Sequence, residues 1–83
     1  MRRLSFLQST MLPVHHLIRQ HRLTVGELNQ FEGWALKFPE LLGIQANCIN
    51  PGVFAMCVHV IRHRGYQQDL ELQDSVIEGV LIE

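Results

Sequence analysis

NPGVFAMCVHVIRHRG, residues 50–65, has a start signal, a continuous apolar body and a stop signal, and its reading decides the fold. Asn50 can accept hydrogen bonds from the first free N–H groups of a helix. Pro51 has no N–H to leave unsatisfied at the first helical position, and Gly65 suits the left-handed residue after the last turn. At helical spacing Val53, Phe54, Cys57, Val60 and Ile61 share one face, with Met56 and Val58 flanking it. Ala55, His59, Arg62 and His63 remain opposite. The stretch therefore reads as a central helix covered on most of its girth. A buried strand is the competing reading, because Val53, Val58, Val60 and Ile61 are β-branched. The apolar run is too long for an ordinary buried strand, and its paired end signals belong to helices.

Upstream, Thr24 and Glu27 form a capping box, with Leu23 and Leu28 in the positions of a hydrophobic staple. A helix over 24–38 follows, ended by Pro39, which pushes its predecessor out of helical geometry. Val25, Leu28, Phe31, Ala35 and Phe38 are the expected core face, bordered by Trp34 and Leu36. Gly33 either admits a neighbouring helix or is simply tolerated. PELLG, residues 39–43, opens on a proline and stops on a glycine, a short third helix, and residues 44–50 connect it to the central one. Ahead of these, Ser9 or Thr10 can cap a helix over 10–22, with Pro13 confined to its first turn. Met11, Val14, Leu17, Ile18 and His21 share its face, and Leu4, Phe6 and Leu7 form an arm free to pack back.

Downstream, residues 66–80 have Leu70, Ile77, Val80 and Leu81 at helical spacing, but DLELQ alternates. A helix is the expectation, with a C-terminal β-hairpin turning near Gln73 and Asp74 as the alternative. Ser75 and Glu78 resemble a second capping box, although Gly79 follows at once. The reading is an all-α domain over 1–83, a bundle of four to five short helices at about 10–22, 24–38, 39–43, 51–64 and 66–80, with the C-terminal segment possibly β.

Composition narrows the function. With 47% hydrophobic and 18% charged residues the chain is too apolar for disorder and poor in surface charge for a free monomer, which points to a bound partner or an oligomer. The net charge of −1 hides an asymmetry. Arg2, Arg3, Arg19 and Arg22 fall in a first segment without acids, whereas Asp69, Glu71, Asp74, Glu78 and Glu83 fall in a last segment without Lys or Arg. Neighbouring ends attracted across the bundle account for this more simply than complementary patches for a partner or for self-association. The start is a poor signal peptide, no run is long enough to span a membrane, and two cysteines suit a reducing compartment, so the cytoplasm is expected.

Cys48, Cys57, His59 and His63 supply enough ligands for a zinc site, but in a helix His59 lies about 160° round the axis from Cys57. His59 and His63 are one turn apart and could hold an ion as a pair, but no third ligand is visible in sequence. Nothing couples their charge to a switch, so solvent-facing histidines beside Arg62 are the expectation and no metal is expected. Cys57 sits among apolar neighbours, the wrong setting for a nucleophile. There is no GxSxG turn, phosphate-cradling loop or HExxH, so neither enzyme activity nor a cofactor is expected. Two helices joined by a short glycine-containing link could approximate a helix-turn-helix, yet PGVFA at the start of the central helix carries no donor for a base edge. The expected function is a non-enzymatic protein–protein interaction module: an adaptor, chaperone or small inhibitor or regulator of a larger protein. It would bind through an apolar helical surface and the tail residues Ile77, Val80, Leu81 and Ile82, and form a homodimer, with no membrane partner. The alternative is a DNA-binding regulator touching phosphate through Arg19 and Arg22.

Overall fold

The computed structural model describes residues 10–63 and 68–82, with side chains up to Ile77. The described chain is mostly helical, with five helices and one small antiparallel strand pair. In order these are β1 (Leu12–Pro13), α1 (Val14–His21), α2 (Val25–Lys37), α3 (Pro39–Leu42), β2 (Cys48–Ile49), α4 (Pro51–His63) and α5 (Gln68–Ile82).

α4 begins where its sequence requires. The Asn50 Oδ1 accepts the N–H groups of Gly52 at 2.7 Å and Val53 at 3.1 Å, satisfying two otherwise orphaned donors. Val53, Phe54, Cys57, Val58, Val60 and Ile61 are all buried, and α4 packs against α1, α2 and α5 as the hub of the bundle. The Phe54 ring lies 4.9 Å from that of Phe31 and 5.3 Å from that of His21, so one side chain joins three helices. The stop signal at Gly65 and the N-terminal arm of Leu4, Phe6 and Leu7 lie outside the described residues.

α2 starts on the expected capping box: the Glu27 N–H donates to Thr24 Oγ1 and the Thr24 N–H to Glu27 Oε1. Its buried face is rotated from the expected one. Trp34 and Phe31 are its buried residues, whereas Val25 is 75% exposed and Leu36 85% exposed. The cause is the indole: Trp34 Nε1–H donates to Asp69 Oδ1 at 2.8 Å, so the largest side chain can be buried with its polar atom satisfied. Eleven residues apart, Val25 and Leu36 then share the opposite stripe, about 20° from each other. Among the described residues, nothing lies within 4 Å of where a Gly33 Cβ would stand.

The first helix begins later than expected. Pro13 lies in extended backbone at ψ 134°, ahead of the helix and not inside its first turn. A residue preceding proline is pushed toward extended geometry, and Leu12 obeys, pairing with Ile49 while Pro13 pairs with Cys48. The partner strand arises from a tight turn at Gln45 to Cys48. Ala46 and Asn47 both have positive φ there, the geometry of a mirror-image hairpin turn, and Gln45 and Cys48 exchange two backbone hydrogen bonds at 3.0 and 2.8 Å.

At the other end α5 is one continuous helix, which removes the hairpin alternative. Ser75 lies within it, so the resemblance of Ser75 and Glu78 to a capping box starts nothing. Leu72 and Val76 enter the core.

Candidate interaction surface

α5 is apolar on two sides. Leu72 and Val76 fill the inner face, while Leu70 and Ile77 are 55% and 48% exposed on the outer one. Seven residues apart, the two lie on one stripe separated by two turns, about 10.5 Å along the axis. Exposed Glu71 and Asp74 flank that stripe, and residues 66–83 contain no Lys or Arg. An apolar strip with an acidic margin results.

The presentation of this face is set by polar ties to the rest of the bundle. Asp69, in the first turn of α5, accepts from Lys37 Nζ at 2.6 Å and from the Trp34 indole, which fixes the start of α5 against the end of α2. Lys37 first, and Trp34 second, hold the Asp69 carboxyl below its ordinary range. At the opposite end of α2, Arg62 grips Glu27 through two nitrogens at 2.9 and 3.1 Å and also donates to the His21 carbonyl at 3.0 Å. One guanidinium thereby ties α1, α2 and α4 together. The Arg62 hydrogen bonds, followed by the Thr24 N–H, bring Glu27 down to about 2.

Beside this cluster lies an open cleft of about 330 Å³ lined by Thr24, Gly26, Glu27, Gln30, Ile61 and Gln68. Its one carboxylate is committed to Arg62, and the remaining lining provides amides, a hydroxyl and an apolar wall. Among the described residues no nucleophile and base are paired there. Burial pushes the Cys57 thiol up to about 12, the reverse of what an attacking thiolate needs. Among the described residues no three His, Cys, Asp or Glu are placed to share a metal ion.

The residues singled out from sequence are dispersed. Ile77 belongs to the outer strip, and Val80, Leu81 and Ile82 occupy the last turns of α5, with side chains outside the described residues. Arg19 and Arg22 are exposed at the far end of α1, and among the described residues neither makes an ion pair. The expected attraction between the basic start and the acidic end is absent from the described ion pairs, where Asp69 takes its cation from α2. Leu70 was not among the expected partner contacts. Its spacing from Ile77 was visible, but which face α5 buries depends on the packing of Leu72 and Val76 against the core.

The N-terminal residues of α4 that a helix-turn-helix would aim at bases include Val53 and Phe54, both buried in the core. No helix among the described residues is long and apolar enough to cross a membrane. No protein-family model, curated protein or solved structure matches this chain.

Proposed function

We propose that this chain is a non-enzymatic interaction module, an adaptor, chaperone or small inhibitor of a larger protein, that holds its partner on the outer face of α5. The observation that carries the reading is the half-exposed pair Leu70 and Ile77 opposite a face already committed to the core. Covering the exposed half of each contributes about 1 kcal/mol, so the pair supplies about thirtyfold in affinity. The apolar sequence continues at Val80, Leu81 and Ile82.

The margin of the strip selects the partner. Glu71 and Asp74, with no cation in the segment, favour an amphipathic helix bearing Lys or Arg beside its apolar face. A twofold dimer through the same strip sets these acids against their own copies, a like-charge cost that favours a different protein over a homodimer.

The test is capture of the tagged full chain from its native cell, with nuclease treatment and washing at moderate salt, read by mass spectrometry. A dominant protein partner that is retained by wild type and lost by Leu70→Asp/Ile77→Asp, with helical circular dichroism unchanged, is expected. Retention of the partner by that variant refutes the α5 surface. Disappearance of everything after nuclease replaces the reading with a nucleic-acid one centred on Arg19 and Arg22.

A further inference from the structure

The solvent side of α4 carries a second feature, independent of the α5 strip. His59 and His63 lie one turn apart and exposed, their rings 3.9 Å between centroids and inclined by 32°. His63 Nδ1 lies 3.0 Å from the His59 carbonyl oxygen. A carbonyl can only accept, so Nδ1 carries the proton, and in the neutral ring the lone pair is left on Nε2. Donation of the other ring N–H to a backbone carbonyl is the arrangement that orients metal-binding histidines. Arg62, the intervening cation, is already engaged by Glu27.

We propose that His59 and His63 form a two-point chelate for a late divalent transition ion of the nickel, copper or zinc class. Two metal–nitrogen bonds at right angles to tetrahedral angles require ligand nitrogens about 3 Å apart with both in-plane lone pairs aimed at the ion, so the stacked rings must open about their side-chain torsions to take it. Such ions favour imidazole nitrogen, and two histidines four residues apart on one helical face are a recurrent way to present it. Water fills the remaining positions. The site is a surface clasp across the last turn of α4, distinct from a closed four-ligand structural site.

The experiment is isothermal titration of the full chain with nickel chloride at neutral pH. Wild type is expected to bind one ion per chain, and His59→Gln and His63→Gln each to weaken it by at least about tenfold, the low end of what losing even an outer partner costs. His15→Gln/His16→Gln is expected to leave affinity unchanged, because adjacent helical residues do not share a face. Cys48→Ser is likewise expected to be silent. All the histidine variants are at exposed positions, and circular dichroism checks that they fold. No measurable binding by wild type, binding that survives in the His59→Gln/His63→Gln double variant, or loss on changing His15, His16 or Cys48 overturns the site.

Discussion

Gly33→Ala and Gly43→Ala add the same methyl group and are expected to move stability in opposite directions. At neither position would a new Cβ meet an atom of another described residue within 4 Å, so packing is removed from the comparison. Gly33 lies within α2, where alanine is favoured over glycine by about 0.8–1 kcal/mol through backbone entropy and helix propensity. Gly43 ends α3 with φ +66°, its N–H bonded back to the Glu40 and Pro39 carbonyls, and a side chain in that left-handed conformation costs about 1–2 kcal/mol. For a domain of this size, a gain near 1 kcal/mol raises Tm by about 4–8 °C, and the loss at Gly43 lowers it by at least a similar amount. Urea unfolding followed by far-ultraviolet circular dichroism measures both, with an unchanged slope confirming that the surface exposed on unfolding is the same. Destabilisation by Gly33→Ala would refute the open outer face of α2. A neutral Gly43→Ala would refute the left-handed stop between α3 and the following turn.

Acid should weaken the Arg62 latch in a defined window. Because Glu27 is lowered from 4.5 to about 2 in the folded chain, its stabilisation is complete well above the unfolded value and is lost as pH falls toward about 2. Glu27→Gln keeps an oxygen for the capping box but no charge. Its stability deficit against wild type, measured by urea titration across pH, should be constant near neutrality, shrink below about pH 5 and close near pH 2. A deficit independent of pH would remove the ion pair from the account. Cys57, fully buried and pushed up to about 12, should resist alkylation in native protein while partly exposed Cys48 reacts, as read by peptide mass spectrometry. Equal labelling would mean that α4 is not at the centre of the core. Asn50→Ala removes the cap of α4 and should cost about 1 kcal/mol in the same urea assay, and an unchanged midpoint would contradict the capping geometry.

Local chemistry explains which parts of this fold could be read in advance. Asn50, Pro51, Thr24 and Glu27 act within a few residues of themselves, so the starts of α4 and α2 follow from short-range hydrogen bonding. The rotation of α2 did not follow. Apolar spacing alone put Val25 on the core face and left Trp34 and Leu36 together at its border, and it was the Asp69 carboxylate, thirty-five residues from Trp34, that made burial of the indole favourable. The strand pair was hidden for a similar reason. Leu12 is extended because it precedes Pro13, but it meets Ile49 only because the chain turns back through positive φ at Ala46 and Asn47, a conformation that asparagine tolerates and alanine does not announce. In α5 the apolar residues were evident, but their division between core and surface was not. DLELQ and VIEGV supply hydrophobic groups on two sides, and only packing against α4 and α3 selects Leu72 and Val76 for the interior. Of the two residues half exposed on the outer face of α5, Ile77 was singled out from sequence and Leu70 was not.

Partner contact is proposed along the outer face of α5. Methyl NMR of the full chain, titrated with the captured partner, tests it residue by residue, because Leu70 and Ile77 report on α5 and Val25 and Leu36 on the more exposed face of α2. Selective shifts or broadening at Leu70 and Ile77, with Val25 and Leu36 unmoved, are the expected result. Shifts confined to Val25 and Leu36, or no change at Leu70 and Ile77 on saturation, would contradict the account.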